Sequence, residues 1–266
     1  MMHSSGSVKE IIWPAVFTVC LGYLMWYFPQ FIVLFGWAND AIASQNPAAG
    51  ILDFAMMAGA LLALVAGVAK AHTTIGEGEV ETAFDRVSLF LSRSTMLLIV
   101  ALVSVMTYEV VLRYIFERPT LWANELSLWM AGFIFLLAGL YAMQQRSHIR
   151  IYLLYDILPR GVQRLCDVIS AALILVFALA MIWGSYNEAQ AKFLRWETFG
   201  TAFDPPIPAT LKPMILLIIL LVAVQAIFNL FADWNKLPEH HAIIDEEEVE
   251  DIIHSVEEHS HSEKRD

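Results

Sequence analysis

Residues 107–159 read T-Y-E-V-V-L-R-Y-I-F-E-R-P-T-L-W-A-N-E-L-S-L-W-M-A-G-F-I-F-L-L-A-G-L-Y-A-M-Q-Q-R-S-H-I-R-I-Y-L-L-Y-D-I-L-P. From Leu126 to Gln145 this stretch carries no charged side chain. A helix needs about 20 apolar residues to cross the hydrocarbon of a bilayer, so the run predicts a membrane span. Trp122 and Glu125 stand at one mouth of that span, and Arg146, His148 and Arg150 at the other. Ahead of it, Arg113-Tyr114-Ile115-Phe116 closes an earlier apolar run. Behind it, Ile149, Ile151, Leu153, Leu154, Ile157 and Leu158 form an amphipathic segment that Pro159 ends.

The rest of the chain has the same character. It is 58% hydrophobic and 16% charged, against about 25% charged in ordinary soluble domains. Mean hydropathy is +0.59. The net charge of −11 is concentrated in one place: residues 236–266 hold eleven acids against three bases. The acidic balance therefore describes a tail, and nucleic-acid binding is not expected. Cys20 and Cys166 are far apart in sequence and are expected as free, buried thiols.

Working outward, six apolar runs predict an all-α, polytopic membrane protein. A charge-free run spans Ile11 to Asn39. Its length, and the want of a small-residue cleavage site, weigh against a cleaved signal peptide. Pro14 is expected in the first turn of this helix and Pro29 as a kink inside it. The run from Ile51 to Ala69 carries Ala55, Gly59, Ala63 and Gly67, a small-residue stripe suited to close packing against the first helix. Asp53 near its start reads as an interface residue, with an ion ligand as the alternative. Residues 1–70 thus form a transmembrane hairpin, and 71–83 a polar, glycine-containing linker. Residues 84–234 hold four more spans. Thr82 with Asp85 predicts a helix N-cap. Glu109 and Arg113, spaced i,i+4, predict an ion pair on one helix face. Asp204-Pro205-Pro206-Ile207-Pro208 predicts a break before the last span. Residues 235–266 form an acidic tail with five of the eight histidines. It reads as solvated, with metal binding as the alternative.

Bases near the membrane ends set the orientation. With the N-terminus in the cytoplasm, nine bases flank the inner side and five the outer, which favours both termini inside. Arg113, Arg118, Trp122, Glu125, Lys192 and Arg195 then share the outer side, and Arg146, His148 and Arg150 the inner. All nine are candidate partner-interface or membrane-edge residues.

No apolar run contains a histidine, so haem ligation within the bilayer is not expected. No phosphate loop, metal-ligand spacing or poised nucleophile is evident either. No cofactor, metal or enzymatic activity is predicted. Nor is there a convincing inverted repeat or a polar midplane, the marks of a self-contained secondary transporter.

The joint order of Arg113-Tyr114-Ile115-Phe116, Trp122 with Glu125, Gly139, His148-Ile149 and Leu158-Pro159 resembles the small membrane subunit of the tripartite ATP-independent periplasmic (TRAP) transporters. The resemblance covers roughly residues 84–234. One departure is that Ile151-Tyr152 follows Arg150, where the family often has an acid. The resemblance implies an accessory subunit in the bacterial inner membrane. It implies as partners a large polytopic permease that carries the substrate and sodium sites, and a periplasmic binding protein that delivers a solute, usually a carboxylate. The alternatives are an anchoring subunit of an unrelated membrane complex, such as a respiratory enzyme, and a small transporter acting alone.

Overall fold

Local sequence signals explain where each helix starts and stops. The computed structural model describes residues 6–71, 82–145 and 158–234. Among these residues there is no strand, and the chain forms eight helices. Helix α1 spans Gly6–Tyr27 and α2 Pro29–Leu34. Helices α3 and α4 span Asp40–Gln45 and Ile51–Ala69. Helices α5 and α6 span Ala83–Tyr114 and Ala123–Gln144. The last two, α7 and α8, span Arg160–Leu194 and Ile207–Asp233. Six of them (α1 and α4 to α8) are long and apolar enough to cross a membrane.

Two proline expectations are corrected. Helix α1 begins at Gly6, so Pro14 lies inside it and not in its first turn. Pro29 does not kink α1 but opens α2 at its first position, where a missing N–H costs nothing. Gly36, at φ 72°, then closes α2. Its N–H donates to Val33 O at 3.1 Å, and that of Trp37 to Ile32 O at 3.0 Å. This is the left-handed helix stop that glycine permits without strain. Asn39 caps α3 by accepting from Ile42 N at 2.9 Å.

At the start of α5 the Thr82 and Asp85 signal forms as expected. Thr82 Oγ1 accepts from Asp85 N at 3.1 Å, and Asp85 Oδ2 from Thr82 N at 2.7 Å. This reciprocal pair satisfies two of the N–H groups that a helix start leaves open. Helix α5 has 32 residues and α7 has 35, about 48 and 52 Å at 1.5 Å per residue. Both exceed the hydrocarbon thickness of about 30 Å, so they tilt or project into the headgroups.

Successive spans pack antiparallel, α1 on α4, α5 on α6 and α7 on α8, while α6 lies against α8 and α1 against α5 in parallel. The small-residue stripe of α4 faces inward from Gly59 to Gly67, whereas Ala55 at its start is exposed. Ala63 is fully buried, Gly59 faces Cys20, and Gly67 receives the Phe90 ring of α5. Edge-on contact between Phe17 and Phe90, centroids 5.3 Å apart, joins α1 to the same place. Nearby, the buried guanidinium of Arg93 pairs with Glu10 of α1.

The polar side chains inside the bundle tie helices together. Gln225 of α8 donates to Asp85 Oδ1 at 2.6 Å and to Asn229 Oδ1 at 2.9 Å, and accepts from Ser88 Oγ at 3.0 Å. Asn229 donates to Met143 O of α6 at 2.7 Å. One cluster thus clamps α5, α6 and α8. Trp129 of α6 donates to Thr210 Oγ1 of α8 at 2.8 Å. Cys20 and Cys166 are both free; Cys20 is buried, but Cys166 is only half-buried, which corrects the expectation of two buried thiols.

Candidate functional site

The C-terminal ends of α5 and α7 meet the N-terminal ends of α6 and α8 at one rim of the bundle. Its anchor is Glu109, 3% exposed. Glu109 Oε1 accepts from Arg113 Nη2 at 2.6 Å and Nε at 3.1 Å. Its other oxygen accepts from Thr120 N at 3.0 Å and from the Thr120 hydroxyl. The expected ion pair therefore exists and also fixes the turn between α5 and α6. Without those donors a buried carboxylate would be costly. Trp122 lies beside Tyr108, centroids 6.0 Å apart.

Glu125 joins the two halves of the rim. Its Oε2 accepts from Thr201 Oγ1 at 2.6 Å and from Asp204 N at 3.3 Å, across to the loop between α7 and α8. That loop is wound tightly: Trp196, Gly200 and Asp204 all have positive φ, at 47°, 82° and 56°. Asp204 Oδ1 holds Gly200 N at 2.7 Å. Lys192 pairs with Glu197, and Lys212 with Glu188. Arg118 and Arg195 are exposed and make no ion pair among the described residues.

Of the nine candidate residues, the structure thus gathers Arg113, Trp122, Glu125 and Lys192 into paired contacts along the rim. It leaves Arg118 and Arg195 open at the surface. Arg146, His148 and Arg150 lie outside the described residues, as do the linker's 72–81 and the tail's 235–266. Sequence reasoning missed Thr120, Thr201 and Asp204, which hold the two acids. It also missed the aromatic arch from the N-terminal hairpin. Trp26 meets Phe203 at 5.3 Å and Trp129 at 5.9 Å, and Phe28 meets Phe193 at 5.0 Å. The signal available was the run of aromatics ending α1, which reads equally as a headgroup belt.

Asp53 is resolved in favour of its interface reading. It is 4% exposed and accepts from Gly50 N at 2.7 Å and Tyr23 OH at 3.2 Å. The Gln30 amide nitrogen, in the orientation that satisfies both groups, adds donors at 2.8 and 3.1 Å. A carboxylate ringed by donors ties α4 to α1 and α2. Among the described residues no cluster of His, Cys, Asp or Glu could hold a metal ion.

These features define a multi-pass helical membrane protein whose buried polar groups join helices to one another. The sequence pattern of the family described as "Tripartite ATP-independent periplasmic transporters, DctQ component" matches residues 102–234. The chain belongs to this family, a transporter component and not an enzyme. The reading as an anchor for an unrelated complex falls with that. The C4-dicarboxylate TRAP transporter small permease protein DctQ of Vibrio cholerae serotype O1 is 28% identical over 133 residues, which are 48% of this chain and 57% of that protein. The chain thus spans a little over half the length of the curated relative it matches. No solved structure matches. The family match begins within α5 and leaves α1 to α4 outside it.

Proposed function

We propose that this chain is the scaffolding membrane subunit of a sodium-coupled importer of carboxylate solutes in the bacterial inner membrane, with both termini in the cytoplasm. It holds a large polytopic permease in the bilayer, and its outer rim helps dock a periplasmic solute-binding protein. The observation that carries the scaffolding role is where the buried polarity goes. Asp53, Asp85, Gln225, Asn229, Glu109 and Thr210 are engaged by neighbouring groups of the same chain. Groups spent in this way stiffen a bundle and are not free to line a polar path through it. Sodium and substrate sites then belong to the large partner. The carboxylate class is supported by the C4-dicarboxylate in the name of the Vibrio relative.

The docking role is supported by the rim's mixture of fixed acids, aromatics and two open guanidinium groups, a composition suited to a wet, transient interface. The competing reading of these residues is membrane-edge anchoring. Uptake by the reconstituted complex, measured against binding-protein concentration at two ionic strengths, separates the two. For docking, Arg118→Glu and Arg195→Glu raise the half-saturating concentration and flatten its salt dependence. Unchanged half-saturation with normal assembly leaves them as anchors. Cysteine labelling checks the orientation: positions 46, 118 and 203 react from outside, and 76, 150 and 254 only after the membrane is opened. Periplasmic labelling at position 150 overturns it.

A further inference from the structure

Helix α7 ends in an arrangement that usually calls for glycine, yet the residue there is tryptophan. Trp196 N donates to Phe193 O at 3.0 Å, and Glu197 N to Lys192 O at 3.0 Å. Such a pair of bonds closes a helix around a left-handed residue, and Trp196 takes that place at φ 47°. A bulky side chain holds this conformation only where its surroundings impose it. Part of the support is local: Phe193 lies against the Trp196 ring at 5.9 Å, and Lys192 pairs with Glu197. The rest comes from the other end of the sequence. Phe28, at the junction of α1 and α2, stacks on Trp196 at 5.7 Å and 14° and meets Phe193 at 5.0 Å. Its own backbone is fixed there, since Phe28 O accepts from Phe31 N at 2.9 Å as α2 begins at Pro29.

Trp196 sets the course of the loop that follows. The chain turns again at Gly200 and Asp204, both with positive φ, and Asp204 Oδ1 holds Gly200 N at 2.7 Å. Phe199 N donates to Pro205 O at 3.1 Å, and Ala209 N of α8 to Glu197 O at 3.2 Å. Two sets of side chains then fix this loop against the bundle. Glu125 of α6 holds it through Thr201 and Asp204. On the hairpin side Phe28 holds its start through Trp196, and Trp26 holds it near the end through Phe203 at 5.3 Å. Glu125 and the loop lie within the family-matched residues, whereas Trp26 and Phe28 lie outside them. The added hairpin thus grips a loop of the matched part at both of its ends.

We infer that the N-terminal hairpin is a clamp for the outer α7–α8 loop: Phe28 keeps Trp196 left-handed and Trp26 seats Phe203, so the loop is ordered before any partner arrives. Amide hydrogen exchange of the full chain in nanodiscs tests this. Phe28→Ala speeds exchange across residues 197–204 about tenfold, the size of effect that one released left-handed residue gives. The α5–α6 turn held by Glu109 exchanges as in wild type. Adding Trp196→Gly restores most of the protection, because glycine keeps a positive φ with no ring to support it. Phe28→Leu, which keeps an apolar side chain in place, shifts exchange in the same direction by less. Unchanged exchange in both Phe28 variants overturns the inference. So does equal loosening of the α5–α6 turn, since Phe28 then supports the whole fold and not the loop. A double variant as fast as Phe28→Ala overturns it too, for Phe28 then does not act through Trp196.

For docking, which rests on the role proposed above, an ordered loop matters because Arg195 and Glu197 flank Trp196, and a surface already in its bound shape loses less on binding. Phe28→Ala then raises the half-saturating concentration of the binding protein, and Trp196→Gly in the same chain lowers it again. Faster exchange with unchanged half-saturation removes this loop from docking and leaves the clamp standing. Unchanged exchange removes the clamp and leaves the test of Arg118 and Arg195 as it was.

Discussion

A methyl group added at Gly67 would sit 2.1 Å from Phe90 Cε2 and 2.6 Å from Cδ2. Phe90 is 1% exposed and held edge-on by Phe17, so the ring has nowhere to turn. Gly132 of α6 is the other close approach, with Leu211 Cδ1 at 2.4 Å. There the obstacle is the tip of a leucine that can change rotamer. Overpacking a tight site costs about 1–3 kcal/mol. Gly67→Ala is therefore expected to lower the unfolding midpoint in detergent more than Gly132→Ala, and the double change Gly67→Ala with Phe90→Leu to recover part of the loss. Equal effects from the two glycines would mean that α4 and α5 do not meet through Phe90. The need for a small residue at 67 was legible in the sequence, from the four-residue spacing with Ala55, Gly59 and Ala63. Which aromatic fills the notch was not, because Phe90 is one of many apolar side chains on a helix that looks lipid-facing all round.

Among the helices, α8 depends most on a feature with no local signature. Gln225 is fully buried and links Asp85, Ser88 and Asn229. Side-chain hydrogen bonds between membrane helices contribute about 0.6 kcal/mol each on average. Gln225→Leu removes its bonds to Asp85 and Ser88 on α5, and is expected to cost about 1–2 kcal/mol. Gln225→Glu should cost more at neutral pH, since it faces one carboxylate with another in a buried site. Thermal unfolding of the two variants in the same detergent checks the order; a glutamate no worse than the leucine would show that Asp85 does not face position 225. The helix start at Thr82 and Asp85 could be read in advance because its two partners are three residues apart. Gln225 and Asp85 are 140 residues apart, and a single glutamine in an apolar run carries no sign of its partner. The same difference explains Pro29. The sequence marks the discontinuity, but whether a proline bends one helix or opens the next depends on how the chain leaves Tyr27.

At the scale of the whole molecule the open matter is what the N-terminal hairpin adds to the family-matched part. Residues 102–234 carry the family match, whereas α1 and α4 pack mainly on each other and on α5, with the aromatic arch reaching α6 and the loop after α7. Their hold on α5 has three parts: the Arg93 pair with Glu10, the Phe17 contact, and the Gly67 notch for Phe90. All three lie in the first half of α5, outside the match. The ties that join α5, α6 and α8 do not involve the hairpin. Deleting residues 1–70 is thus expected to leave a chain that inserts and still binds the large permease. The cost falls on stability, because Arg93 loses its pair with Glu10 and Phe90 its socket. Arg93→Leu should cost less in the truncated chain than in the full chain, where it also breaks the pair with Glu10. Co-purification with the permease reads the first expectation, and thermal unfolding of both chains with and without Arg93→Leu reads the second. If the truncated chain inserts, unfolds at the same temperature as the full chain and fails to bind the permease, then the hairpin is itself the docking surface, and its contacts with α5 serve to present it.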